Sequence, residues 1–495
     1  PEEVTRSVAW PAPDRASSRM LYIDGEWRPA ASGRTFESCD PATGEVIDRV
    51  ADGGVEDLDA AVAAATAAFD AWSTTTAYER AAVLARAHAL MLERKEALAQ
   101  LMTREQGKPI RMARNEVGYA ADFLLWFAEE AKRNYGETIP SARADQRFLV
   151  LHQPVGVVGA ITPWNYPISM LTRKIAPALA AGCTVVLKPA EQTPLCAIAT
   201  FEVLAEAGVP AGVVNLVTTA DPEAVGGALV DDPRVRKIAF TGSTEVGKLI
   251  GAKAAAHVKR VSLELGGHAP FLVLDDADPV RAAKGAAAVK FLNTGQACIC
   301  PNRLLVHRSL VEPFVATLQQ RFEALVAGAG ATDGVTVGPL IDEAALAKME
   351  RQVADAVDKG ARVVTGGHRL TEDGLDRGCF YAPTLLADVT PDMLIHREET
   401  FGPIAPVIVF DEVDEAIALA NDTEYGLASY VYTNDLARAF RVFERLKFGM
   451  VGVNDINPTS AAAPFGGVKT SGLGVEGARD GLKEYLDTKL VGIAL

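Results

Sequence analysis

The chain has 495 residues, 49% hydrophobic and 23% charged, the composition of an ordinary globular protein too long for one core and therefore built from roughly two or three domains. A formal net charge of -15 without any basic run argues against a nucleic-acid partner, and the best apolar stretch, 175–187, is too short for a bilayer and is broken by Gly182. Six scattered cysteines are too sparse for a disulfide scaffold and, with a polar start lacking an apolar signal core, point to reduced thiols and the cytoplasm.

Residues 1 to about 20 read as a polar arm. From 58 to 72 the larger apolar residues Leu58, Val62, Phe69 and Trp72 recur at helical spacing, with Ala65 filling the gap. A second helical stretch, from about 78 to 103, stops at Gly107 and Pro109, and 123–134 continues the pattern. Short apolar runs follow at 155–161, 184–187, 213–217, 237–240 and 261–263, alternating with helical segments. One of those helices opens with Thr193 placed to cap it and Pro194 at its first position, and Gly208 ends it. Alternation at this spacing predicts an α/β fold with a doubly wound parallel sheet, the usual support for a dinucleotide. A second alternating series runs through 271–274, 304–306, 407–410, 430–432 and 451–453, which places a domain boundary near Glu264. The segments 133–152 and 476–495 belong to neither sheet.

A strict G-x-G-x-x-G occurs at Gly472, Gly474 and Gly477, but no strand–helix–strand unit surrounds it, so it reads as a tight loop and not as a cofactor fingerprint. A better candidate is Phe240-Thr241-Gly242-Ser243-Thr244-Glu245-Val246-Gly247, which follows an expected strand and opens a helix. Gly242 lets the backbone turn closely, Ser243 is placed to cap, and the free N–H groups there would receive a pyrophosphate. Taken alone it is weak, since many strand-to-helix turns carry Gly-Ser. Lys188-Pro189-Ala190-Glu191 ends another expected strand, where a lysine and a carboxylate would both reach an adenosine ribose; a solvated loop with an incidental charge pair is the plainer reading.

Glu264 ends the apolar strand Val261-Ser262-Leu263-Glu264, and an ionised carboxylate is costly to bury among leucines, so it either reaches solvent or has a function. Cys298 sits in Asn293-Thr294-Gly295-Gln296-Ala297-Cys298-Ile299-Cys300. A lone cysteine is usually a small core residue; here a Gly-containing loop exposes amides and a second thiol follows two residues on. No Cys or His stands at ligand spacing from the pair, so no metal site is expected.

With those segments in view, the chain resembles the aldehyde dehydrogenase superfamily from Tyr22-Ile23-Asp24-Gly25-Glu26-Trp27 onward. The motifs that carry the resemblance are Thr162-Pro163-Trp164-Asn165-Tyr166-Pro167, Leu263-Glu264-Leu265-Gly266-Gly267, Gly295-Gln296-Ala297-Cys298, Glu398-Glu399-Thr400-Phe401-Gly402-Pro403 and Pro464-Phe465-Gly466-Gly467. The resemblance implies a dinucleotide-binding domain over 1–132 and 153–263, a second α/β catalytic domain over 264–464 and a small oligomerisation segment over 133–152 and 476–495. It further implies that Cys298 is the nucleophile that takes an aldehyde through a thiohemiacetal to a thioester. Asn165, with the Cys298 N–H, holds the oxyanion, and Glu264 is the base that activates water for hydrolysis. Glu399 and Phe401 match residues at the nicotinamide end, Trp164, Ser243, Gly242 and Gly247 those near the pyrophosphate, and Lys188 and Glu191 those at the adenosine ribose. A carboxylate at Glu191 accepts from a free 2′-OH and repels a 2′-phosphate, which favours NAD while leaving NADP open.

Within the superfamily the likeness is greatest to succinate-semialdehyde dehydrogenases, through Thr172-Arg173-Lys174, Ala180-Ala181-Gly182-Cys183-Thr184, Cys298-Ile299-Cys300 and Ser471-Gly472-Leu473-Gly474. In that branch two arginines hold the substrate's distal carboxylate. Arg173 matches the first; at the second position stands Leu292, which offers a carboxylate nothing. Either Arg173 with a hydroxyl near Thr459 or Ser460 suffices for a semialdehyde acid, or the pocket serves a less acidic aldehyde. The branch's usual Arg at another position is here Val475, and Cys300 resembles a thiol that pairs with the nucleophile in redox-controlled relatives, though a plain buried thiol fits as well. A CoA-acylating enzyme would not need Glu264, a thiol esterase would need a base near Cys298 where only His268 and His307 are close in sequence, and a silent binding protein would not need the trio at all. The implied partner is a small aldehyde, with no nucleic acid or membrane, and the implied assembly a homodimer or homotetramer.

Overall fold

The computed structural model describes residues 20–495, so all but the last position of the expected polar arm lies outside the described residues. Each apolar run of the first series forms a parallel strand: Val157–Ile161, Thr184–Lys188, Val214–Leu216, Val235–Thr241 and Arg260–Glu264. Continuous rather than alternating apolar residues suit strands covered by helices on both faces. In space these five lie in the order third, second, first, fourth, fifth. The winding therefore reverses between Val157–Ile161 and Val235–Thr241, and ligands of such sheets bind in the crevice at the carboxyl ends of the two strands flanking the reversal.

Antiparallel strands Leu21–Ile23 and Glu26–Arg28 extend one edge and Gly472–Leu473 the other, making eight. At the second edge a Cβ on Gly472 would lie 2.0 Å from the Leu263 carbonyl oxygen. The strict glycine pattern thus serves a close approach of two backbones at the edge of the sheet and is buried at its first glycine.

The second series repeats the same winding with Ala269–Val273, Pro301–His307, Ile404–Phe410, Ala428–Tyr432 and Met450–Val453. Two further strands, Arg362–Thr365 and Thr384–Ala387, complete a seven-stranded sheet. The outer one is half exposed and pairs antiparallel, while the inner one is wholly buried. Glu137–Ile139, Gln146–Pro154 and Leu486–Ala494 form a separate three-stranded antiparallel sheet.

The helix Pro194–Glu206 starts at its proline, but Thr193 makes no capping hydrogen bond. Its buried first turn is satisfied instead by the Glu105 carboxylate, which accepts from the N–H groups of Leu195 (2.6 Å) and Cys196 (2.8 Å). Among the described residues no helix is long and apolar enough to cross a membrane.

Candidate active site

Glu264 closes the last parallel strand of the first sheet, and only Leu265 to His268 separate it from the first strand of the second. The two sheets are therefore joined within a few residues of the point where their chemistry meets. Cys298 reaches this junction from the second sheet, after the turn Leu292–Gly295, in which Asn293, Thr294 and Gly295 take φ of 49°, 60° and 81°. Successive left-handed residues are costly. Here the cost is offset by the Gln296 side chain, which donates to the carbonyls of Asn293 (3.3 Å) and Pro339 (3.2 Å) and accepts from Ile341 N–H (3.0 Å), while Thr294 Oγ1 accepts from Gly338 N–H at 2.9 Å.

Cys298 borders two cavities. One, of about 230 Å³, lies at the winding reversal of the first sheet and brings together Trp164, Asn165, Gly242, Ser243, Glu399 and Phe401. Ser243 caps the following helix as expected, its Oγ accepting from Val246 N–H at 3.3 Å. Trp164 and Phe401 meet edge to face with centroids 5.6 Å apart. The Glu399 carboxylate, which burial pushes upward, accepts from Gly267 N–H at 2.8 Å. Gly247 is not on the cavity wall; a Cβ there would meet Leu265 Cδ2 at 2.2 Å, so it serves helix–sheet packing. Lys188 and Glu191 also stand outside that wall, at the end of the neighbouring strand, as a pair 3.4 Å apart with the lysine buried and the carboxylate one-third exposed. A helix N-terminus with unfilled N–H groups, an aromatic pair, a carboxylate from the second sheet and a Lys–Glu pair one strand over are a set that fits a dinucleotide.

The second cavity, of about 440 Å³, is lined by Arg173, Tyr119, Thr459 and Leu292 among mostly apolar neighbours such as Met112 and Ile456. Ser460 is not on its wall; its Oγ accepts from Ala462 N–H within its own loop (3.2 Å), and Thr459 takes the lining position. Arg173 lies 4.0 Å over the Phe465 ring, and its Nε is 2.9 Å from Glu476 Oε2. Its charge is thus partly met inside the protein, while its Nε and one Nη remain buried without a hydrogen-bond partner.

Glu264 does not reach solvent: it is 3% exposed, and neither carboxylate oxygen has a hydrogen-bond partner. Burial pushes its carboxyl well above the usual range, the nearby Glu476 adds to that, and Arg173 and Lys174 oppose it. Glu476 is held ionised against its own burial by Lys174, whose Nζ is 2.5 Å away, and by Arg173. Burial likewise pushes the Cys298 thiol up to about 12, with Arg173 opposing and Glu264 adding to the rise. Asn165 Nδ2 donates to the Gln296 carbonyl at 3.0 Å, which ties the amide to the loop that carries Cys298.

Glu476 and Lys174 escaped the sequence reading because their significance comes only from facing a buried Glu264. Cys300 is buried, its thiol donating to the Val289 carbonyl at 3.2 Å. His268 is buried with Nε2 2.9 Å from the His396 carbonyl and borders neither cavity, so it offers Cys298 no base. No cluster of metal-ligating side chains occurs among the described residues.

Residues 27–491 match the aldehyde dehydrogenase family. The chain is 51% identical over 477 residues to the succinate-semialdehyde dehydrogenase [NADP(+)] GabD of Escherichia coli K12, covering 96% of this chain and 98% of that protein. It is 52% identical to a glutarate-semialdehyde dehydrogenase of Pseudomonas aeruginosa, covering 95% and 96%. The crystal structure of succinate-semialdehyde dehydrogenase from Burkholderia pseudomallei superposes with a TM-score of 0.94 at 48% identity, covering 96% of this chain and 98% of that one. A match of that extent, on a fold with the same two sheets, means that the chain belongs to the aldehyde dehydrogenase family.

Proposed function

We propose that the enzyme oxidises an aldehyde to its carboxylic acid, with a nicotinamide dinucleotide as electron acceptor, through a thioester on Cys298. The observation that carries this reading is that Cys298 borders both cavities, so one thiol serves a carbonyl in the larger and a cofactor ring in the smaller. The Cys298 thiol gives its proton to water, its sulphur forms a bond to the carbonyl carbon, and the displaced electron pair goes to oxygen, where Asn165 Nδ2 and the Cys298 N–H hold it. A bound nicotinamide ring would supply the acceptor for the hydride that leaves this carbon as the oxygen's electron pair restores the C=O bond. Water then adds to the resulting thioester while Glu264 takes its proton, and the acid departs as the thiol is restored.

Trp164, Gly242, Ser243, Glu399 and Phe401 would hold the dinucleotide, with Gly247 keeping the helix close and Lys188 and Glu191 at the adenosine ribose. Glu191 supports NAD over NADP by charge; Glu191→Gln should then raise kcat/KM for NADP relative to NAD by about tenfold, the worth of one nearby charge of ~1.4 kcal/mol. On the same reading the first sheet belongs to a dinucleotide-binding domain (up to 132, with 153–263), the second to a catalytic domain (264–464), and 133–152 with 476–495 to the oligomerisation segment of a cytoplasmic homodimer or homotetramer. The six free cysteines support a reducing compartment.

The substrate is a short semialdehyde acid such as succinic semialdehyde, or a less acidic aldehyde. Leu292 on the cavity wall and the pairing of Arg173 with Glu476 favour the second, while the unpartnered buried Nη2 of Arg173 favours the first. The test is formation of reduced dinucleotide across semialdehyde acids, aliphatic and aromatic aldehydes, with and without CoA. Turnover without CoA is expected, and Leu292→Arg should raise kcat/KM for succinic semialdehyde; dependence on CoA, or ester cleavage indifferent to dinucleotide, would sink the assignment.

A further inference from the structure

A buried ion pair stands beside the catalytic loop and takes no part in the chemistry above. Lys108 and Glu116 both have wholly buried side chains and are in direct contact. Lys108 follows Gly107, which ends the helix Lys95–Gln106 in a left-handed conformation, and Glu116 lies in the helix Ile110–Ala131. Burying two charges is expensive and, for stability alone, an apolar pair of the same size serves as well or better. Their other partners give the pair a purpose. Lys108 Nζ donates to the backbone carbonyl of Asn165 at 2.7 Å, and Asn293 Nδ2 donates to the same oxygen at 2.9 Å. Glu116 Oε1 accepts from the N–H groups of Ile168 and Ser169, both at 3.1 Å, at the start of the helix Ser169–Ala181. The pair thus grips the segment 165–169 at both ends, while the ammonium lies 4.0 Å from the centroid of the Tyr166 ring in between.

Resting on the assignment of Asn165 as oxyanion donor, we propose that Lys108 and Glu116 are positioning residues that fix the Asn165 peptide, and through it the side-chain amide, relative to Cys298. The backbone oxygen of a residue whose side chain must meet a developing charge within a few tenths of an ångström is held by two buried donors, one of them charged. A misplacement of about 1 Å in such a group costs on the order of a hundredfold in rate. An interaction that matters only as the oxyanion forms lowers kcat while leaving ground-state binding alone.

The experiment compares Lys108→Met, Asn165→Ala and their combination. Asn165→Ala is expected to lower kcat by about a hundredfold or more, and Lys108→Met by about tenfold to a hundredfold, with the aldehyde KM and dinucleotide Kd within threefold of the parent. The combined variant should fall within about threefold of Asn165→Ala alone, because there is no longer an amide to position. Multiplied losses in the combination would overturn the proposal while leaving Asn165 in its role. An Asn165→Ala enzyme with nearly full kcat would instead remove the oxyanion assignment and the proposal with it. If Lys108→Met does not fold, Lys108→Met/Glu116→Gln leaves no buried charge and keeps an acceptor for Ile168 and Ser169, and the same comparisons apply. Failure of both to fold, or parental kcat in either, would make the pair structural and overturn the proposal.

Discussion

At the scale of single residues, the reactive groups sit where their charged forms are disfavoured. Cys298 is pushed up to about 12 chiefly by burial, against the pull of Arg173. The thiolate is the reactive form, and below the pKa its fraction rises tenfold per pH unit. Alkylation of Cys298 by iodoacetamide in the cofactor-free enzyme, followed by peptide mapping, should therefore climb about tenfold per unit from pH 6 to pH 9; a rate already level by pH 8 would show a thiolate stabilised by something other than this environment. Glu264 carries the same kind of cost. Its carboxyl is raised by burial and by Glu476, so it binds a proton more tightly folded than unfolded. The stability this contributes is complete below the unfolded value near 4.3 and is lost as pH rises through the folded one. Glutamine at this position has no proton to lose. Glu264→Gln should raise the thermal midpoint at pH 8 by roughly 1–3 °C and leave it nearly unchanged at pH 5, a scale set by about 1 kcal/mol in a large protein. The same variant should give one equivalent of reduced dinucleotide and then stall. Steady turnover would refute Glu264 as the base, and a lowered midpoint at pH 8 would refute the burial cost.

At the scale of elements, the strands that carry the site were legible because each contains a short, mostly apolar run between helical segments. The helix after Val235–Thr241 was legible from Ser243, whose cap forms as expected. Thr193 offered the same signal for the helix Pro194–Glu206, yet the cap there is Glu105, whose place beside Leu195 and Cys196 depends on tertiary packing. Lys108 was invisible for a related reason: its partner is the backbone carbonyl of a residue 57 positions on, and no side-chain pattern records that. The candidate residues themselves were readable chiefly through the motif resemblance, since composition alone is equally consistent with Glu264 ending in solvent. The turn Leu292–Gly295 lay between these cases. Its glycine was visible, but the left-handed run of three was not. Gly295 needs its φ of 81°, and a Cβ there would fall 2.1 Å from the Gly402 carbonyl oxygen in the segment 398–403. Gly295→Ala should push the cysteine loop and that segment apart, lowering kcat at least about tenfold with only a modest loss of thermal stability. An alanine enzyme with parental kcat would mean that the turn tolerates a displacement its geometry forbids.

At the scale of the whole molecule, one feature does not pack within the chain. The sheet of Glu137–Ile139, Gln146–Pro154 and Leu486–Ala494 has scarcely a buried residue along its length, and exposes Ile139 (43%), Leu151 (42%), Leu490 (61%) and Ile493 (39%). Three strands without an apolar cover are marginal in water, and unpaired strand edges invite pairing with another chain. A second copy of the same chain is the simplest cover, because a symmetric pair buries the same surface on both partners. Leu490→Lys combined with Ile493→Lys would place two cations per protomer on that surface and shift the sedimenting species to a smaller assembly. The residues proposed for catalysis lie at the end of a strand of the first sheet and in loops between the strands of the other two sheets, so a dissociated protomer should still form the thioester, seen as a single burst of reduced dinucleotide, even where its stability suffers. A species of unchanged mass in the double variant would place the assembly surface elsewhere and leave the exposed apolar sheet without its explanation.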